Sequence, residues 1–100
     1  MDQDPDRHLI SRQTARAYID AWRKGRKEDE VRGGHMDRAV LDRILAQPGC
    51  AGIRYYHARH PKGYDTIVLV GADKTGRALW DGGIAEELLP CPPHCDPDDA

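Results

Sequence analysis

The sequence predicts a small α+β domain in which two helices pack on a mainly antiparallel sheet of three to four strands. Three observations lead there. Two stretches before Cys50 carry apolar residues at helical spacing, and the chain beyond Cys50 carries β-branched and aromatic runs broken by turn residues. The whole, 100 residues with 39% apolar and 32% charged side chains, matches one ordinary globular core. At this length roughly two-thirds of the unfolded surface can be buried, so a core is feasible without staples but with modest stability.

Residues 1–8 (MDQDPDRH) are polar, include a proline and lack periodicity, which predicts a flexible lead-in to a single domain spanning 9–95. Ser11 stands where a helix cap belongs, and Ala15, Tyr18, Ile19 and Trp22 then recur on one helical face. That stripe is expected to be core. Gly25 and the mixed charges around it end the helix. The stretch VRGGHM (31–36) reads as a short strand or a loop. Asp37 is a second cap, before a helix whose stripe is Val40, Leu41, Ile44 and Leu45 and which QPG (47–49) stops.

Beyond Cys50, GIRYYHARH and TIVLVGA flank the turn residues PKGYD and predict a hairpin. Ile67, Val68, Leu69 and Val70 are apolar without alternation, so that strand is expected to be central. Asp73-Lys74-Thr75-Gly76 predicts a tight turn with Gly76 at positive φ, after which RALWD returns as an antiparallel strand. The same four residues resemble the phosphorylated-aspartate motif of P-type ion pumps, but Arg77 departs from it, and the turn reading accounts for them. The end of the chain, 96–100, is acidic and is expected to be solvated.

Charge narrows the function. Fifteen Lys and Arg against 17 Asp and Glu give a net −2, which favours neither nucleic acid nor an anionic membrane. No apolar run approaches the ~18 residues of a membrane span, and the acidic start does not resemble a signal peptide, so a cytoplasmic location is expected. Tyr55 and Tyr56 beside Arg54 could stack on RNA bases, yet in a half-buried strand such residues serve packing. His57 and His60 are three apart, which on a strand points them to opposite faces, and both are expected to be solvated.

The segment Cys91-Pro92-Pro93-His94-Cys95 is the most suggestive stretch. If Pro92 and Pro93 stay extended, the two Cα atoms lie about 12 Å apart and no disulfide can form. If the prolines turn the chain back, both sulfurs converge. Three readings follow. Leu88, Leu89, Cys91, Pro92, Pro93 and Cys95 can form a structural clamp that docks the end of the chain, with the cysteines packed as small apolar groups. Cys50, Cys91 and Cys95 with His94 or His57 can offer zinc a tetrahedral set, although the spacing is not a CxxC knuckle. Cys91 and Cys95 can exchange as a thiol–disulfide pair, with His94 as the adjacent group to lower a thiol pKa.

LAQPGCAGIRYY, TIVLVGADKTG and LPCPPHC, taken in that order, resemble a group of small bacterial proteins of unassigned function that share QPGC-x-GIR, an LVLVG strand with an Asp-Gly turn, and a C-terminal CPPxC. The resemblance covers roughly residues 37–95 and touches Cys50, Gly52, Arg54, Tyr56, Gly71, Asp73, Gly76, Cys91, Pro92, Pro93 and Cys95. It implies that Cys50 and the CPPHC end belong to one design, and carries no activity with it. No catalytic residue and no cofactor other than the alternative zinc is assigned. The function expected is a non-enzymatic accessory or assembly module that forms a homo-oligomer or binds a protein partner.

Overall fold

The computed structural model describes residues 5–97, so Met1–Asp4 of the lead-in and the last three residues of the acidic end lie outside the described residues. The chain divides into two compact units, residues 1–30 and 31–100.

In the first unit, Pro5–His8 form a single 3-10 turn and α1 runs over Arg12–Arg23. Ser11 caps α1 as its residue type predicts: its Oγ accepts the Thr14 N–H at 3.0 Å and donates to Thr14 Oγ1 at 2.9 Å. Beyond the helix, Arg26 folds back, stacking its guanidinium 3.8 Å from the Trp22 ring centroid and donating from Nε to the Trp22 carbonyl. The expected core stripe is overturned. No residue of α1 is buried, and Tyr18, Ile19 and Trp22 are exposed. The described residues of this unit hold no second long element to cover that face.

The second unit is α+β and contains two small antiparallel sheets. Strand β1 (Gly33–His35) pairs with β5 (Leu89–Cys91), and β2 (Gly52–Arg59), β3 (Asp65–Ala72) and β4 (Ile84–Ala85) form a three-stranded sheet in that order. The hairpin is in register from Gly52↔Ala72 to Arg59↔Asp65, closed by His60 N–H to the Tyr64 carbonyl at 2.9 Å. Strand β3 is central, as its unbroken apolar run predicts, and Val70 is fully enclosed.

Helix α2 (Arg38–Leu45) lies against β2 and β3. Of its predicted stripe Ile44 is buried, Leu41 is half-buried, and Val40 and Leu45 are exposed, because a single helix of eight residues turns only part of its surface to β2 and β3. Gly71 permits the close approach. A Cβ there would stand 3.0 Å from Cys50 Sγ, 3.0 Å from Gln47 Nε2 and 3.4 Å from Ile44 Cγ2.

The DKTG turn forms, with Gly76 at φ +89°. Asp73 Oδ1 accepts from the Thr75 N–H at 2.9 Å, the Thr75 hydroxyl at 2.7 Å and the Arg77 N–H at 3.0 Å. The strand expected at RALWD does not. Ala72 and Ala78 make an isolated bridge, and pairing resumes at Ile84–Ala85. The chain turns at Gly82, whose N–H bonds the Leu79 carbonyl, before a ladder can extend. No helix among the described residues is long and apolar enough to cross a membrane.

Candidate functional site

The CPPHC segment extends the β1–β5 ribbon. Gly33 faces Cys91, Gly34 faces Pro90 and His35 faces Leu89, and a two-stranded ribbon tolerates Pro90, which has no N–H to donate. Gly34 sits against Leu88, where a Cβ would come within 3.1 Å of the Leu88 Cβ. Of the two leucines expected to anchor the end, Leu88 is half-buried, whereas Leu89 is exposed because successive strand residues point to opposite sides.

After Cys91 the chain turns back. The Cys91–Pro92 and Pro92–Pro93 peptides are cis, the His94 N–H bonds the Pro90 carbonyl at 2.8 Å, and the Cys95 N–H bonds the Pro93 carbonyl at 3.1 Å. This brings the two cysteine Cα atoms to 4.7 Å and joins their sulfurs in a disulfide. Cys91 is buried, Cys95 half-buried and His94 exposed. Arg32, just before β1, holds both ends of the bridge: its N–H donates to the Cys91 carbonyl at 2.7 Å and its Nη2 lies 3.5 Å from Cys95 Sγ. Residue spacing gave no hint of Arg32, which is 63 positions from Cys95.

Cys50 occupies a different setting. It is a free, half-buried thiol whose S–H donates to the Gly52 carbonyl at 3.2 Å, and its sulfur packs over Gly71 of β3. Among the described residues, the metal-ligating side chains that converge in a group of three or more are His60, Glu86 and Glu87, with ligand atoms within 4.8 Å of one another. The set Cys50, Cys91, His94 and Cys95 does not assemble there, and the disulfide leaves Cys91 and Cys95 without the thiolates zinc requires.

The His60 group was not legible in the sequence. Where solvation was expected, His60 is 8% exposed, and its ring stacks on Tyr64 with centroids 4.6 Å apart and planes 8° from parallel. The Gly63 turn brings the two rings together, and His-x-x-x-Tyr around a Pro-Lys-Gly turn is the signal that could have found them. His60 Nδ1 accepts the Lys62 N–H at 3.1 Å, so the ring proton sits on Nε2, which faces Glu87 Oε1 at 3.3 Å. A metal at Nε2 would need the opposite tautomer and would set an Nδ1 proton against the Lys62 N–H. The cluster therefore reads as a hydrogen-bonded tie between the β2–β3 turn and the β4–β5 connection.

Glu87 holds its place at φ +57°, a left-handed conformation costing a non-glycine residue about 1–2 kcal/mol. Glu86 accepts the Thr66 hydroxyl at 2.8 Å. Burial works to raise the Glu86 pKa, but the hydrogen bonds from Glu87 and Thr66 and the nearby His60 outweigh it and hold the carboxyl below its usual range. Tyr64 is pushed up by burial and then by the charges of Glu86 and Glu87. The Thr66 hydroxyl donates to Glu86 rather than to His60, so in this group the imidazole does not activate it as a nucleophile.

On the outer sheet face, Tyr56 stacks on Trp80 at 5.5 Å, and Arg54 donates to the Tyr56 hydroxyl and, from Nη1, to the Gly76 carbonyl at 2.8 Å. Of the residues that suggested RNA stacking, Arg54 and Tyr56 make these contacts, whereas Tyr55 is exposed rather than half-buried as the sequence predicts. His57 is exposed and meets Tyr55 edge-on. No family model matches the chain, nor does any curated protein or solved structure.

Proposed function

We propose that the protein is a non-enzymatic assembly module that pairs with a second copy of itself through the apolar face of α1, with CPPHC clamping the end of the second unit. The supporting observation is the uncovered stripe: Tyr18 is 67% exposed, Ile19 44% and Trp22 41%. An amphipathic helix gains most of its stability from burying such a face, and this one is only 12 residues long.

A second copy suits the stripe better than an unrelated groove does. Antiparallel pairing about its centre sets Trp22 opposite the small Ala15 and Tyr18 opposite Ile19, so large meets small at the ends. The same register brings Arg16 beside Asp20 of the other copy, twice by symmetry. A contact this short falls below the ~1,200 Å² of a standard interface, so the association is weak and concentration-dependent.

Sedimentation equilibrium tests it. Between about 10 and 500 μM, the range in which small interfaces populate, the mass should rise above the 11.2 kDa of one chain. Ile19→Glu and Trp22→Ser should hold it at one chain. A wild-type mass that stays monomeric overturns the proposal, and association that survives both substitutions removes α1 as the surface.

A further inference from the structure

The disulfide closes the turn that follows β5, and Arg32 Nη2 lies 3.5 Å from one of its two sulfurs. We propose that Cys91–Cys95 is an exchangeable redox latch, opened by a dithiol reductant, in which Arg32 stabilises the Cys95 thiolate. This goes beyond a static clamp and does not depend on self-association through α1.

Geometry makes the two sulfurs unequal. Cys91 ends β5 and is 7% exposed, so an incoming thiolate meets it poorly. Cys95 is half-buried, lies outside the strand and has Arg32 Nη2 at 3.5 Å. Arg32 is half-buried, and its backbone N–H bonds the Cys91 carbonyl at 2.7 Å, which sets the Cα from which the guanidinium reaches the sulfur. His94 and Asp96, both exposed, flank Cys95 along the chain, and the structure places the cation of Arg32 at the sulfur itself. A cation beside a thiol favours the thiolate, which is both the nucleophile and the better leaving group in exchange.

Opening runs in two displacements. A thiolate of the dithiol attacks Cys95 Sγ, the Cys91–Cys95 bond breaks, and Cys91 leaves as a thiolate that takes up a proton. The reductant's second thiolate then attacks its own sulfur in the mixed disulfide. The bond to Cys95 breaks, and Cys95 leaves as a thiolate facing Arg32. Two electrons pass from the dithiol, now a disulfide, to the protein. Its two thiol protons go one to Cys91 and one to solvent. Reoxidation by a disulfide of the same class reverses the steps, with Cys95 attacking and Cys91 resolving.

The latch has something to release. The bridge holds the turn after Cys91 so that Cys95 meets Arg32 just before β1, and the β1–β5 ribbon this turn abuts has three residue pairs and is marginal in water on its own. A reducing compartment would favour the open Cys91–Cys95 turn and an oxidising one the closed.

The test uses the full chain. After reduction, alkylation by iodoacetamide is followed against pH and read by peptide mass, so that Cys50 is counted separately. Cys95 should react with a midpoint at least one unit below the ordinary thiol value of about 8.5, Arg32→Gln should move it back, and Arg32→Lys should preserve it. Equilibration against dithiothreitol at a pH above both midpoints should show Arg32→Gln shifted about tenfold toward the disulfide, or about 30 mV for a two-electron couple. A merely structural role for Arg32 would not move the alkylation midpoint. A wild-type Cys95 midpoint near 8.5, or an Arg32→Gln chain with unchanged midpoint and unchanged equilibrium, overturns the proposal. Circular dichroism of each variant establishes that the comparison is between folded chains.

Discussion

His60 and Tyr64 stack face to face across the turn that joins β2 to β3, 4.6 Å between ring centroids, and the imidazole uses both nitrogens to bind what surrounds it. The pair converts a solvent-facing turn into a small satellite core. It also ties that turn to Glu87, far along the chain but next to β4.

His60→Ala should therefore cost more than an exposed turn histidine would. It loses the stack, leaves the Lys62 N–H without its Nδ1 acceptor and frees Glu87, for about 1–3 kcal/mol in all. His60→Phe keeps a ring over Tyr64 and should fall between wild type and His60→Ala. Urea unfolding measures both. Equal losses for the two variants would show that the stack contributes nothing.

Closing a loop of four to five residues removes denatured-state entropy worth about 2 kcal/mol on the chain-entropy model, and Cys91 and Cys95 are four apart. Cys91→Ala with Cys95→Ala should lower stability by about that amount. Truncation after Leu89 should cost more, because it also removes Pro90 and Cys91 from pairing with Gly34 and Gly33. Thermal unfolding orders the three chains. Truncation that costs no more than the double substitution would mean the ribbon pairing adds no stability.

Acid should weaken the fold through Asp73 and Glu86. The Thr75 hydroxyl bond and then the Arg77 N–H hold Asp73 below its ordinary pKa, against a smaller opposing effect of burial, and Glu86 is held down by its own hydrogen bonds. For both groups the folded pKa lies below the unfolded one. Their contribution is thus present above about pH 4 and disappears as pH falls through the folded values. Asp73→Asn with Glu86→Gln should flatten the fall of melting temperature below about pH 4. An unchanged acid slope would exclude these two carboxyls as its source. Tyr64, raised in the folded state, contributes in the other direction: its share is present below about pH 10 and is lost in alkali.

Local chemistry wrote much of this fold into the sequence. Ser11 caps α1, the Pro-Lys-Gly and Asp-Lys-Thr-Gly stretches turn the chain, and the unbroken run Ile67–Val70 sits in the central strand, because each depends on neighbours within a few residues. The sequence also showed that Cys91 and Cys95 could meet only if the prolines turned, without deciding whether they would. Tertiary structure decided the rest. A helical stripe identifies Tyr18, Ile19 and Trp22 as one face, but whether that face is covered depends on what else packs in its unit, and within the described residues nothing there does. RALWD carries strand-like residues, yet the Gly82 turn ends the pairing before a ladder can grow. His60 with Glu87 and Arg32 with Cys95 are separated by 27 and 63 residues. Such contacts arise when sheet register brings distant segments together, and no local periodicity encodes them.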